Sequence, residues 1–227
     1  MTYNNIKKAV FLSRKNRFTA EIQIDGKTHI CHVKNTGRLR ELLIPGVPCF
    51  VEESDNPERK TRYSLIAVSH KDEIINIDSQ APNKVFYEWA KDGGFIDKIT
   101  LIKPEKTFKD SRFDCYIETQ DETIFVEVKG VTLKKNGVAL FPDAPTERGV
   151  KHLYGLCDCI DHGYKAYIVF VAQMKGIHTF SPNIETHKEF AEALLFCKQK
   201  GVEIICVDCN VTYDSLRIDK MIEVKLQ

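Results

Sequence analysis

The sequence predicts an α/β (α+β) chain of two units: a small all-β barrel over residues 1–81, then a mixed sheet flanked by helices over residues 82–227. Three observations carry this expectation. Residues 1–81 hold short runs of alternating hydrophobicity separated by turn signals. After Gln80-Ala81-Pro82-Asn83, segments with helical and strand periodicity follow in the order helix, strand, strand, strand, helix, strand, helix, strand. Two late runs, residues 166–172 and 202–207, are continuously apolar, as in strands buried on both faces.

In the first unit, residues 8–12 form a short apolar run. Residues 17–24 then alternate Phe18, Ala20, Ile22 and Ile24 against Arg17, Thr19, Glu21 and Gln23. Asp25-Gly26 is a strong hairpin signal, and residues 27–33 return. Strand-like runs follow at 47–52, 62–69 and 73–78, and five strands fit an OB-type barrel. Between the third and fourth runs lies Lys34-Asn35-Thr36-Gly37-Arg38-Leu39-Arg40. Gly37 permits close backbone approach, while Lys34, Arg38 and Arg40 offer charge to phosphate. A helical turn capped by Asn35 or Thr36, with its arginines in water, fits the spacing equally well.

In the second unit, Val85, Phe86, Trp89 and Ala90 recur at helical spacing until Gly93-Gly94, with Glu88 on the same helix. Residues 96–103 and a charged stretch at 104–111 lead to the segment 112–133, RFDCYIETQDETIFVEVKGVTL. There Phe113, Cys115 and Ile117, then Ile124, Val126 and Val128, alternate with polar residues about a turn at Gln120-Asp121. A symmetric turn places Ile117 opposite Ile124 and Asp114 opposite Glu127, with Lys129 on the face of Glu127. Opposed carboxylates cost roughly 0.2–1 kcal/mol in a sheet, and a hard divalent cation offsets that repulsion. Mg²⁺ is typically held by one or two carboxylates, so Asp114 and Glu127 are its candidate ligands and Lys129 the group that orients water or stabilises charge on phosphate. The competing reading is a solvated hairpin face. The apolar neighbours Ile124, Phe125, Val126, Val128 and Val131 count against it.

Beyond the turn at 134–137 and the run 138–141, Pro142-Asp143-Ala144-Pro145 predicts a helix start. That helix runs to about His162, and its opening turns carry Arg148, Lys151 and His152, which with the free backbone donors suit a phosphate. Thr186-His187-Lys188-Glu189 reads as a capping box for a helix ending at Gly201. The segment from Asp208 onward carries no clear pattern.

The composition is that of an ordinary globular protein, 43% hydrophobic and 29% charged. No apolar run approaches the ~20 residues of a membrane helix, and the start lacks a signal peptide's apolar block. A cytoplasmic protein without a membrane partner is expected. The net charge of +1 hides an asymmetry: residues 1–40 carry +7 and the remainder −6. A basic first module is the footprint of a polyanion partner. The eight cysteines sit mostly in apolar patterns, where they act as small hydrophobes. A four-thiolate zinc site from Cys157-x-Cys159 and Cys206-x-x-Cys209 is disfavoured, because residues i and i+2 of a helix diverge.

Asn35-Thr36-Gly37-Arg38, Ser111-Arg112-Phe113-Asp114, Glu127-Val128-Lys129 and above all the string 141–153, FPDAPTERGVKHL, resemble the sugar fermentation stimulation protein family (SfsA), over nearly the whole chain. The resemblance implies an amino-terminal OB-fold, a PD-(D/E)XK nuclease-like domain, DNA binding and a role in sugar (maltose) utilisation. Under that pattern Asp114 and Glu127-Val128-Lys129 are the catalytic set, with Mg²⁺ or Mn²⁺ as cofactor. Glu88 is a further carboxylate for the metal. Phe113 stands where the pattern has proline. Lys34, Asn35, Gly37, Arg38, Arg40, Arg148, Lys151 and His152 form the expected nucleic-acid surface, DNA more than RNA. Two functions follow, a metal-dependent nuclease or a non-catalytic DNA-binding regulator. Strandedness and oligomeric state are not legible.

Overall fold

The structure is a computed structural model describing residues 1–226. Strands β1 (Ile6–Asn16), β2 (Thr19–Ile24), β3 (Lys27–Val33), β4 (Pro48–Glu53), β5 (Tyr63–His70) and β6 (Glu73–Asn76) form the first sheet, in the order β3-β2-β1-β4-β5-β6. A parallel pairing of β3 with β5 closes five of these strands into a barrel, with β6 hairpinned onto β5. Closure leaves the five barrel strands without a bare edge. Asp25 and Gly26 both take positive φ, 48° and 77°, as the tight hairpin turn requires. The run expected at 8–12 is the middle of the longer β1. Its first half pairs with β4 and its second with β2, so partners on both sides hold residues that hydrophobicity alone does not mark.

The second unit is a nine-stranded sheet, built from β7 (Leu101–Phe108), β8 (Ser111–Glu118), β9 (Thr123–Val131), β10 (Leu133–Lys135), β11 (Val138–Phe141), β12 (Lys165–Ala172), β13 (Thr179–Pro182), β14 (Glu203–Val211) and β15 (Leu216–Val224). The order is β10-β11-β13-β15-β14-β12-β9-β8-β7. The continuously apolar β12 lies between β9 and β14 and pairs parallel with both, which explains its lack of a polar face. Helix α1 (Ala81–Lys91) covers one side of the sheet; α2 (Glu147–Asp161) and α3 (Lys188–Lys200) pack together on the other.

Three local expectations are corrected. The charged stretch at 104–111 falls largely within β7, an edge strand whose mostly exposed residues and Pro104 need no second neighbour. The segment after Asp208 completes β14 and forms β15, antiparallel to it, with Leu216 and Ile218 in the core. The helix caps also shift: Thr146 rather than Asp143 caps α2, accepting from Gly149 N at 3.0 Å, and α3 starts at Lys188 after His187, whose side chain makes no capping bond.

A buried polar network joins the units. Gln173, at the end of β12, donates its amide to Asn76 Oδ1 (2.7 Å) and to the Asp78 carbonyl (2.9 Å). Asn76 donates to the Tyr3 hydroxyl, and Lys34 pairs with Asp78 at 3.0 Å. Tyr3, Asn76, Asp78 and Gln173 are buried, so their mutual bonds fix how the barrel meets the second sheet.

Candidate functional site

Strands β8 and β9 pair about the turn 119–122, with Ile117 opposite Ile124 as the symmetric register predicts. The ladder ends at Cys115 with Val126. One residue further, the Asp114 carboxylate replaces a main-chain acceptor, taking the Val128 N–H on Oδ2 at 2.8 Å. The alternation of β8 breaks there: Phe113 packs toward α2, whereas Cys115 and Ile117 pack on the α1 side. Asp114 and Glu127 therefore adjoin where the strands part, not as a ladder pair.

Asp114 Oδ1 also accepts from Asn83 Nδ2 at 2.7 Å, from the first turn of α1. Burial, then the charge of Glu127, pushes the Asp114 carboxyl up to about 6, against the bonds from Val128 and Asn83 and the charge of Lys129. Glu127 is 1% exposed. Burial acts to raise its pKa too, but donation from His152 and the charges of Lys129 and His152 outweigh it, and the carboxyl sits below its usual range. Lys129 Nζ lies 2.5 Å from Glu127 Oε1, which His152 Nδ1 also contacts. His152 Nε2 faces Arg148 Nε at 3.4 Å. The second oxygen, Glu127 Oε2, is buried without any hydrogen-bond partner among the described residues.

An unpartnered carboxylate oxygen is costly in a protein interior, and beside a second carboxyl whose pKa burial and Glu127 raise it could hold a cation that relieves both. Among the described residues no three His, Cys, Asp or Glu side chains cluster as a metal-binding group. Two carboxylates with the remaining positions left to water and phosphate suit Mg²⁺ or Mn²⁺ and not zinc. The thiols agree: Cys157 lies against Cys197 at 3.2 Å, and all eight cysteines are buried and free.

Other expected residues fall elsewhere. Glu88 pairs with the amino-terminal ammonium at 2.6 Å beside Trp89 and Arg217, away from Asp114 and Glu127, because it rides a different face of α1 from Asn83. His152 is not on a nucleic-acid surface, since it is buried against Glu127. Lys34 is tied to Asp78 and Glu52. Asn35 shapes its loop by accepting from Gly37 N and donating to Ile77 O. Arg17, Arg38 and Arg40 are exposed along a cleft of about 630 Å³, which the half-buried Arg14 also lines. Arg148 and Lys151 are exposed on α2. Sequence reasoning missed Arg14, whose guanidinium binds the carbonyls of Arg17, Asn35, Gly37 and Arg38 and so holds the loop. It also missed Asn83. The only signal for either was an unexplained polar residue near a motif.

Comparison with known proteins agrees with this architecture. The model of the sugar fermentation stimulation protein RE domain matches residues 80–215, and that of the SfsA N-terminal OB domain matches residues 12–77. The chain is similar to the sugar fermentation stimulation protein homolog of Clostridium beijerinckii, 55% identical with all of both chains covered. Its homolog in Desulfitobacterium hafniense (strain Y51) is 57% identical, over 100% of this chain and 99% of the relative. The solved structure of Pyrococcus furiosus SfsA in complex with Ca²⁺ superposes with a TM-score of 0.91 at 28% identity, covering 99% of this chain and 98% of that one. No helix among the described residues is long and apolar enough to cross a membrane.

Proposed function

The chain belongs to the sugar fermentation stimulation protein family, and we propose that it is a cytoplasmic DNA-binding protein whose second unit is a divalent-metal-dependent nuclease hydrolysing phosphodiester bonds. The observation that carries this reading is the buried, unpartnered Oε2 of Glu127 beside Asp114. That the Pyrococcus furiosus relative is complexed with Ca²⁺ supports a hard cation in this fold.

Asp114 and Glu127 would hold Mg²⁺ or Mn²⁺, which when bound polarises a phosphoryl oxygen and acidifies water. The protein's own groups do the rest. Lys129 gives one N–H to Glu127 and keeps two for an attacking water or for charge growing on the phosphate. His152 and Lys129 keep Glu127 ionised. Arg148 and Lys151, exposed near the start of α2, clamp the substrate backbone.

The test is incubation of purified protein with DNA and RNA in Mg²⁺ or Mn²⁺, beside Asp114→Ala, Glu127→Ala and Lys129→Ala. Cleavage by the wild type with binding alone in the variants is expected. One observation favours a second reading, a non-catalytic DNA-binding regulator of sugar (maltose) metabolism: the exposed arginines belong to the barrel, not to the carboxylate site. Binding without cleavage, indifferent to metal and weakened by Arg38→Ala or Arg40→Ala, is its signature.

A further inference from the structure

A second cleft, of about 360 Å³, runs between the barrel loop at Asn35–Gly37 and the segment Pro142–Thr146, with Gln173 and Gly130 in its lining. It shares Thr36, Gly37, Ala144 and Pro145 with the arginine-lined cleft of the barrel. Gly130, in its wall, is the residue that follows Lys129 in β9, so one strand serves both the cleft and the carboxylate site. The cleft's chemistry differs from that of the basic surface and of the carboxylate site, because Asp143 is its one charged lining residue. Such a lining does not attract phosphate. It suits a neutral, flat group with polar edges.

Two acceptors are placed to read those edges. Gln173 is 1% exposed and its amide nitrogen is already used, while its Oε1 accepts nothing among the described residues and lies against Gly130, where an added Cβ would stand 2.5 Å from it. Asp143 is the other, its carboxylate close to the Gly37 backbone, where an added Cβ would stand 2.6 Å from Oδ2. The walls thus meet at Gly37 and Asp143. The volume lies near the lower end of the ~300–1,000 Å³ usual for small-ligand sites. An intact duplex, whose major groove alone is about 12 Å wide, has no room there.

We propose that this interdomain cleft seats one unstacked base of a single DNA strand, entering past Arg38 and Arg40 and leading its backbone toward Asp114, Glu127 and Lys129. The inference rests on the nucleic-acid reading above and deepens it: the substrate is single-stranded at the site, as an end, a loop or a splayed strand. Stacking and edge contacts to one base are then lost when that base is removed.

The experiment is fluorescence anisotropy in EDTA, which separates binding from cleavage. Its probes are a short labelled DNA strand, a blunt duplex of the same sequence, and strands carrying one abasic site at successive positions. The single strand should bind about tenfold or more tightly than the duplex, and an abasic site at one position should weaken it roughly five- to a hundredfold. Ala144→Trp and Thr36→Trp, each filling the cleft from a different wall and each verified by its melting transition, should abolish that positional effect. Equal binding of duplex and single strand, or a positional effect intact in both variants, overturns the cleft assignment while leaving DNA binding standing. Failure of every probe to bind overturns the nucleic-acid reading as well.

Discussion

At the residue scale the site is a contest over two carboxylates. Asp114 has a folded pKa of about 6 against an unfolded value near 3.8, so folding takes up a proton between those limits. Its contribution to stability is therefore greatest below about pH 4 and is lost as pH rises through 6. Asp114→Asn should raise metal-free stability by about 1–2 kcal/mol at pH 7.5 and change little at pH 4, read by urea denaturation at both values. Cation binding has the opposite dependence, weakening as pH falls through 6. In the proposed site His152 acts as a positioning residue: it contacts Glu127 through Nδ1 while Arg148 faces its other nitrogen. His152→Ala should weaken divalent-cation binding about 10–100-fold, with partial recovery in His152→Asn, measured by calorimetry. Asp114, Glu127 and Lys129 were legible in the sequence because strand periodicity and an acidic pair suffice to draw them together. The role of His152 was not, because one imidazole four residues after an arginine on a helix reads equally as a phosphate ligand, and only packing decides which neighbour it meets.

At the element scale α2 is the critical support, since it carries both His152 and Arg148. Thr146 closes its first turn by accepting from Gly149 N. Thr146→Ala should cost about 0.5–2 kcal/mol and loosen the helix end nearest Glu127, seen as faster amide exchange over the first turns of α2. Where propensity, period and turn chemistry agreed, the elements were readable: the Asp25-Gly26 hairpin, the doubly buried β12 and the span of α2. Where a neighbour supplies the reason, they were not. β7 is polar because it is an edge, and β15 becomes a strand because β14 and β13 offer pairing on both sides.

At the scale of the whole molecule, the two units share one apolar cluster that runs from Phe11, Ile22 and Leu65 in the barrel to Phe170, Phe180 and Leu194 in the second unit. With the network of Gln173, Asn76, Asp78 and Tyr3 at the junction, this should make the pair unfold as a single cooperative unit. Asn76→Ala leaves the Gln173 amide and Tyr3 hydroxyl short of a partner, and should lower stability by about 1–3 kcal/mol within one unfolding transition shared by barrel and sheet. Two separated transitions would show that the units are joined only loosely. The barrel and the mixed sheet were foreseeable from their patterns. Their junction was not, because Asn76 and Gln173 lie far apart in the chain and neither sits in a recognisable motif.

The proposed nuclease chemistry requires Asp114 and Glu127 to share one divalent cation. Isothermal titration of the protein with Mn²⁺ near pH 7.5, beside Glu127→Gln and Asp114→Asn, tests it most directly. One ion per chain in the wild type, with affinity reduced at least about tenfold in each variant, is the predicted result. Unchanged Mn²⁺ binding in both variants, or none in the wild type, would contradict it.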